Sequence, residues 1–182
     1  MYKFVAALMM FVCSGVNVNA YTPTAPERYP LPEPSATDSL FERQSHEIAQ
    51  VQRMLDTEFG AYKKPKDLAA YTYHASMRVG LHPRIMLNLM AAESGFNPNA
   101  KSKAGAIGIV QIIPRYHGLT VSELKDYRTA VNAGAEVLDK YRQSCNGDMR
   151  CALHKYNVGP ANYAKGKRNS KYVAAIMRGV RV

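Results

Sequence analysis

A helix that closes on Glu93, Ser94 and Gly95, followed at once by a segment crowded with small residues, limits what this chain can become more than any other feature. Pro83 stands where a first-turn proline is tolerated, and Ile85, Met86, Leu89 and Met90 recur at steps of three and four. The spacing carries on to Glu93, so a carboxylate falls on the apolar face of a helix that Gly95 is placed to end. Burial disfavours the charged form of such a group, and the negative end of the helix dipole disfavours it again. A glutamate kept protonated near neutral pH is what a general acid requires. Lone glutamates at helix ends are ordinarily solvated. Here the continuation argues otherwise: Phe96, Asn97 and Pro98 lead into Ala100, Ser102, Gly105, Ala106, Gly108 and Gln111, with small residues wherever a backbone would pass close to a ligand.

The 182 residues suit one domain with extra chain at an end. Lys3, the unbroken apolar run from Phe4 to Val12 and the small residues of Val18-Asn19-Ala20 read as a secretory signal over residues 1–20. That run is too short to cross a bilayer, so no transmembrane anchor is expected in the mature chain, and Cys13 leaves with the signal. Residues 21–35 carry Pro23, Pro26, Pro30, Pro32 and Pro34, a density that propagates neither helix nor central strand and predicts an extended linker. Residues 36–62 then read as an amphipathic helix. Ser39 and Glu42 match a capping box, and Ile48, Val51, Leu55 and Phe59 form an apolar stripe up to Gly60. That stripe suits packing on the main domain or on a partner protein, and the sequence does not choose.

Residues 63–182 read as the main domain. Helical spacing is expected over 67–79 before Gly80, over 83–94, in a short helix capped by Thr120 or Ser122, and over 128–143 with Val131, Ala135, Leu138 and Tyr141 inward. After the turn signal Asn146-Gly147-Asp148, a helix with Met149, Ala152, Leu153 and Tyr156 runs to Gly159-Pro160, and a last one spans 170–178. β-Branched residues gather over 107–113, which predicts a small strand pair. The expected class is mainly α with a small β element.

The string from Met90 to Pro114, taken with Tyr156-Asn157-Val158-Gly159-Pro160, resembles the soluble-type (SLT) lytic transglycosylases, lysozyme-like bacterial enzymes that cut peptidoglycan. The resemblance covers about residues 67–178 and rests on many fixed offsets rather than one short motif. It implies an α+β lysozyme-like domain with Glu93 as the catalytic acid. It also implies that Ser102 and Gln111 contact the carboxylate or the sugar, that Tyr156 and Asn157 line the cleft opposite Glu93, and that Tyr172 in the closing helix is a further substrate-binding residue. A tyrosine offers a ring to a sugar face and a hydroxyl to hydrogen-bond, while Asn157 and Gln111 can each donate and accept. Tyr156 also lies on the apolar stripe of its helix, where core packing alone would place it. Ser94 reads as a support of local backbone. Two positions depart from the family pattern: Val110 stands where methionine is usual, and Lys155 where a small residue commonly precedes the Tyr-Asn pair. Both bear on subsite preference.

Ordinary glycoside hydrolysis uses two carboxylates, yet the next acids after Glu93 are Glu123 and Asp126, beyond the glycine-rich segment. The resemblance implies a reaction that one carboxylate can run, non-hydrolytic cleavage of the MurNAc–GlcNAc bond to a 1,6-anhydro product. A hydrolytic muramidase and a non-catalytic peptidoglycan-binding module stay open as alternatives.

Export leaves Cys145 and Cys151 as an even pair, which reads as a disulfide closing a short loop. The five histidines are scattered, so no metal site and no cofactor are expected. Loss of Lys3 with the signal turns the net charge of +10 into +9, a surface that attracts polyanions. Lys101, Lys103, Arg115, Lys155, Lys165, Lys167 and Arg168 crowd the motifs. No nucleic-acid motif is present, so nucleic acid is not the expected partner. Acidic peptides and phosphate-rich polymers of a cell envelope fit better. The expectation is an exported protein of the periplasm or cell envelope, acting on peptidoglycan strands, with an envelope-spanning secretion or conjugation complex as a further candidate partner.

Overall fold

Helix α3 (Pro83–Ser94) is the axis of the fold, because Met86, Leu87, Leu89 and Met90 have no exposed surface at all. A helix apolar on that many sides can persist only if other elements wrap it. The structure, a computed structural model, describes residues 36–180; the predicted signal over 1–20 and linker over 21–35 lie outside the described residues. Around α3 stand α1 (Ala36–Glu58), α2 (Leu68–Arg78), α5 (Tyr127–Gln143) and α8 (Ser170–Ile176). Helix α6 (Met149–Val158) packs on α5 and α8, and the single-turn helices α4 (Val121–Lys125) and α7 (Pro160–Ala164) fill the connections.

Helix ends follow the sequence closely. Thr120 and Glu123 form a reciprocal capping box on α4, and Asp126 and Asp148 cap α5 and α6. Pro160, read as a helix breaker, ends α6 and also starts α7 at its first position. A disulfide joins Cys145 to Cys151 across the α5–α6 turn.

Two sequence expectations are corrected here. Helix α1 begins at Ala36, so Ser39 lies inside its first turn and does not cap it. The strand pair over 107–113 reduces to isolated bridges, Lys101 with Ile107 and Ile107 with Ile112. Ile107 and Ile112 exchange both backbone hydrogen bonds at 2.8 and 3.2 Å, but Gly108 and Gln111 between them take positive φ and turn the chain at once. A short Pro114–Tyr116 3-10 turn, not foreseen, follows directly and prevents extension.

The stripe of α1 packs on the domain itself. Val51 and Leu55 are buried in the common core, and Phe59 and Tyr62 meet Phe96 edge-on with ring centres 5.2 and 5.4 Å away. The start of α1 is different: Leu40 and Phe41 are 56% and 71% exposed.

Candidate active site

Glu93 sits in the last turn of α3, and the chain reverses immediately after it. Gly95 takes the left-handed conformation, and its N–H and that of Phe96 return to the carbonyls of Ala91 and Met90. Phe96 is left-handed too (φ 64°), which costs a side-chain-bearing residue roughly 1–2 kcal/mol. Complete burial of its ring among Phe59 and Tyr62 offsets that strain. Ser94 ties this turn to the glycine-rich segment: its Oγ donates to the Ile109 carbonyl at 2.7 Å and accepts from Asn97 N at 3.1 Å.

The glycine-rich segment makes one wall. Ser102 and Ala106 close a small loop, with Ser102 Oγ accepting from Ala106 N at 3.0 Å, and Gly108 N donates to the Ala100 carbonyl at 2.9 Å. Gln111 aims its amide inward, donating to the Gly108 carbonyl at 2.9 Å and to Ala100 at 3.3 Å. Gly108 is obligatory on two grounds. Its φ is +81°, and a Cβ there would stand 2.0 Å from the Leu124 carbonyl oxygen. Val110 packs flush on Gly134 of α5, where an added Cβ would lie 2.9 Å from Val110 Cγ1, so this departure from the family pattern is matched by a close approach of loop and helix.

The second wall comes from α6 and α8. Tyr172 Oη donates a short hydrogen bond to Glu93 Oε1. Tyr156 Oη donates to the Val110 carbonyl at 2.8 Å, so α6 is stitched to the opposite wall. Burial pushes the Glu93 carboxyl up to about 7, and the bond from Tyr172 works against that rise. Burial, then the charge of Glu93, push the Tyr156 and Tyr172 hydroxyls well above the usual tyrosine range, so both remain donors at neutral pH. With Oε1 engaged by Tyr172, Oε2 is the oxygen left to carry a proton. The site therefore presents one carboxyl, protonated for much of the neutral range, held by a phenol.

The family described as the transglycosylase SLT domain matches residues 70–176, which include Glu93, both tyrosines and the glycine-rich segment. The chain belongs to this family. A transglycosylase of Enterobacteria phage PRD1 is 30% identical over 111 residues, 58% of this chain and 40% of that protein. Membrane-bound lytic murein transglycosylase C of Actinobacillus pleuropneumoniae serotype 5b (strain L20) is 42% identical over 50 residues, 28% of this chain and 14% of that one. The chain thus spans well under half the length of these relatives. Among solved structures, the 70 kDa soluble lytic transglycosylase of Escherichia coli superposes with a TM-score of 0.51 over 78% of this chain and 26% of its own, at 19% identity. An inactive mutant of lytic transglycosylase Slt from Pseudomonas aeruginosa gives the same TM-score at 20% identity, over 76% of this chain and 26% of that one. Both likenesses establish the mainly helical fold.

Within this SLT domain the structure brings Glu93, Tyr156 and Tyr172 together. Ser102 and Gln111 direct their side-chain hydrogen bonds to the glycine-rich backbone, as wall-formers. Asn157 is exposed and accepts from Asn169 Nδ2 at 2.9 Å. Asn169 is the residue that sequence reading missed. Its Oδ1 caps α8 by accepting from Tyr172 N at 3.1 Å, and its own N–H donates to His154 Nδ1 at 3.1 Å. It thereby fixes the start of the helix that carries Tyr172 against the helix that carries Tyr156. The signal was present: an asparagine stands immediately before a helix that begins at Ser170.

Proposed function

We propose that the chain is a peptidoglycan lytic transglycosylase, cleaving the β-1,4 bond between N-acetylmuramic acid and N-acetylglucosamine without water. The observation that carries this reading is the partly buried carboxyl of Glu93, raised by burial with no second carboxylate among the described residues contributing to its environment. A hydrolase of the ordinary kind places two carboxylates about the bond. Glu93 would donate its proton to the bridging oxygen as the C1–O bond breaks, and the acetamido oxygen of the muramic residue would attack C1. The Glu93 carboxylate would then take the proton of the C6 hydroxyl as O6 displaces the acetamido oxygen, which closes the 1,6-anhydro ring and restores the acid. Tyr172 orients the carboxyl throughout. Ser102, Gln111, Tyr156 and Asn157 shape and line the cleft.

The names of the relatives, lytic murein transglycosylases and a phage transglycosylase, support the substrate class and a location at the cell envelope. A compact domain of this kind suits local wall opening for a secretion or conjugation machine, with the exposed start of α1 as the element that would meet it. Product mass tests the chemistry. Purified protein acting on cell walls is expected to release muropeptides one water lighter than those with reducing ends, with rates falling above pH about 7 as Glu93 ionises. Glu93→Gln should lower turnover by roughly 10²–10⁴-fold while wall binding persists. Release of reducing ends alone would replace this reading with a muramidase; equal clearing by wild type and Glu93→Gln would remove Glu93 from the chemistry.

A further inference from the structure

Helix α8 carries Tyr172 to Glu93, yet it has only seven residues, too few to persist unless its surroundings fix it. Its start is held from two sides. The Arg168 guanidinium lies over the Tyr163 ring of α7 at 3.4 Å and donates to the Tyr163 carbonyl at 2.7 Å. Asn169, the next residue, donates its backbone N–H to His154 Nδ1 on α6 at 3.1 Å and accepts from Tyr172 N at 3.1 Å. Consecutive hydrogen bonds thus lead from the His154 ring through Asn169 and Tyr172 to the Glu93 carboxyl.

The first of these bonds depends on a proton. A backbone N–H can only donate, so Nδ1 must accept, and the neutral ring keeps its proton on Nε2. Protonation puts an N–H on Nδ1 as well, facing the Asn169 N–H, and the attraction becomes a repulsion. The surroundings favour the neutral ring. Burial, then the Arg168 charge, hold the half-buried His154 below its ordinary value of 6.5, and Asp148 at the start of α6 works against them. From α7 the facing group is the Tyr163 ring at 6.2 Å, with the Lys155 ammonium over that ring at 5.7 Å. Helices α5 and α8, which also pack on α6, add no charge to it among the described residues. A docked state that favours the neutral ring is at full strength above 6.5 and weakens as pH falls through the lowered value.

We propose that neutral His154 is a positioning residue for the reaction: through Asn169 it sets the docking of α8, and with it the Tyr172 hydroxyl on Glu93, so that activity is lost when the ring takes a proton. This rests on Glu93 being the catalytic acid. Glu93 alone predicts the opposite trend, because an acid raised to about 7 gives a rate that climbs as pH falls and then levels off. A fall in rate on the acid side therefore reports a different group.

The test is the pH dependence of kcat on purified cell walls for wild type, His154→Asn and His154→Leu, with thermal melts to confirm folding. Wild type should turn over about tenfold more slowly at pH about 5 than at pH about 6.5. Asparagine places an amide oxygen near the position of Nδ1 and does not titrate, so His154→Asn should keep the wild-type rate at neutral pH and lose the acid limb. Leucine offers no acceptor, and His154→Leu should be slower severalfold across the whole range, again without an acid limb. A wild-type rate that stays level below neutral pH, an acid limb retained in His154→Asn, or an unchanged kcat in His154→Leu would overturn the proposal. Amide NMR gives the same comparison without turnover: the Asn169 and Tyr172 N–H resonances should titrate together with the His154 ring, and resonances that ignore the ring would also overturn it. Absence of anhydro product from wild type at every pH would instead strike at the reading of Glu93, leaving the amide titration to decide whether His154 holds α8.

Discussion

The two walls that flank Glu93 are built on opposite principles. The glycine-rich wall is held by its own backbone: residues 100–112 bond to one another, and Ile107, Ile109, Val110 and Ile112 anchor it in the core. The tyrosine wall is assembled from two separate helices, α6 and α8, whose alignment depends on side chains of Asn157, Asn169 and His154. The first should fail all at once, through stability. The second should fail gradually, through alignment and rate.

Gly108→Ala tests the backbone wall and carries the largest expected effect. An added Cβ meets the Leu124 carbonyl at 2.0 Å in a left-handed conformation that alanine resists. A loss of about 3 kcal/mol and a fall in Tm on the order of 10 °C are expected by thermal circular dichroism. A change below a few degrees would mean that the loop and α4 can slide apart, and the contrast between the walls would weaken.

Tyr172→Phe probes the assembled wall at its point of contact with the chemistry. The hydrogen bond from Tyr172 lowers the Glu93 pKa, so its removal raises it. The alkaline limb of the pH–rate profile should therefore move to higher pH, while kcat drops about tenfold because the carboxyl loses its orientation, with little change in Tm. A limb that stays in place would separate Tyr172 from Glu93.

Asn169→Ala has the smallest expected effect and the most discriminating follow-up. Loss of the α8 cap should reduce stability by about 1 kcal/mol, and loss of the bridge to Asn157 should lower kcat a fewfold. Asn169→Thr restores a cap without reaching Asn157, so stability should recover and kcat should not. Recovery of both would reduce Asn169 to a helix cap.

Legibility in the sequence divides along the same line. Glu93, its burial, the stop at Gly95 and the turn-rich segment were readable because each depends on neighbours within a few residues: helical period, a left-handed glycine, small residues in sequence. Thr120 and Glu123 as a capping box belong with them. Tyr172 was placed only through family resemblance, because nothing local to residues 170–176 says that its hydroxyl reaches a glutamate 79 positions earlier. Asn169 carried a local signal, the cap, but its bond to Asn157 is a tertiary fact.

By itself the sequence determined the longer helices, the carboxyl on an apolar helix face and the chain reversal behind it, since propensity, periodicity and backbone sterics act over one or two turns. Tertiary structure alone decided that the β-branched run ends as two bridges rather than strands, that Tyr156 uses its ring in the core and its hydroxyl on the Val110 carbonyl, and that the stripe of α1 docks behind Phe96. Those outcomes depend on which surfaces meet across long sequence separations, and contact free energy of that kind has no local signature.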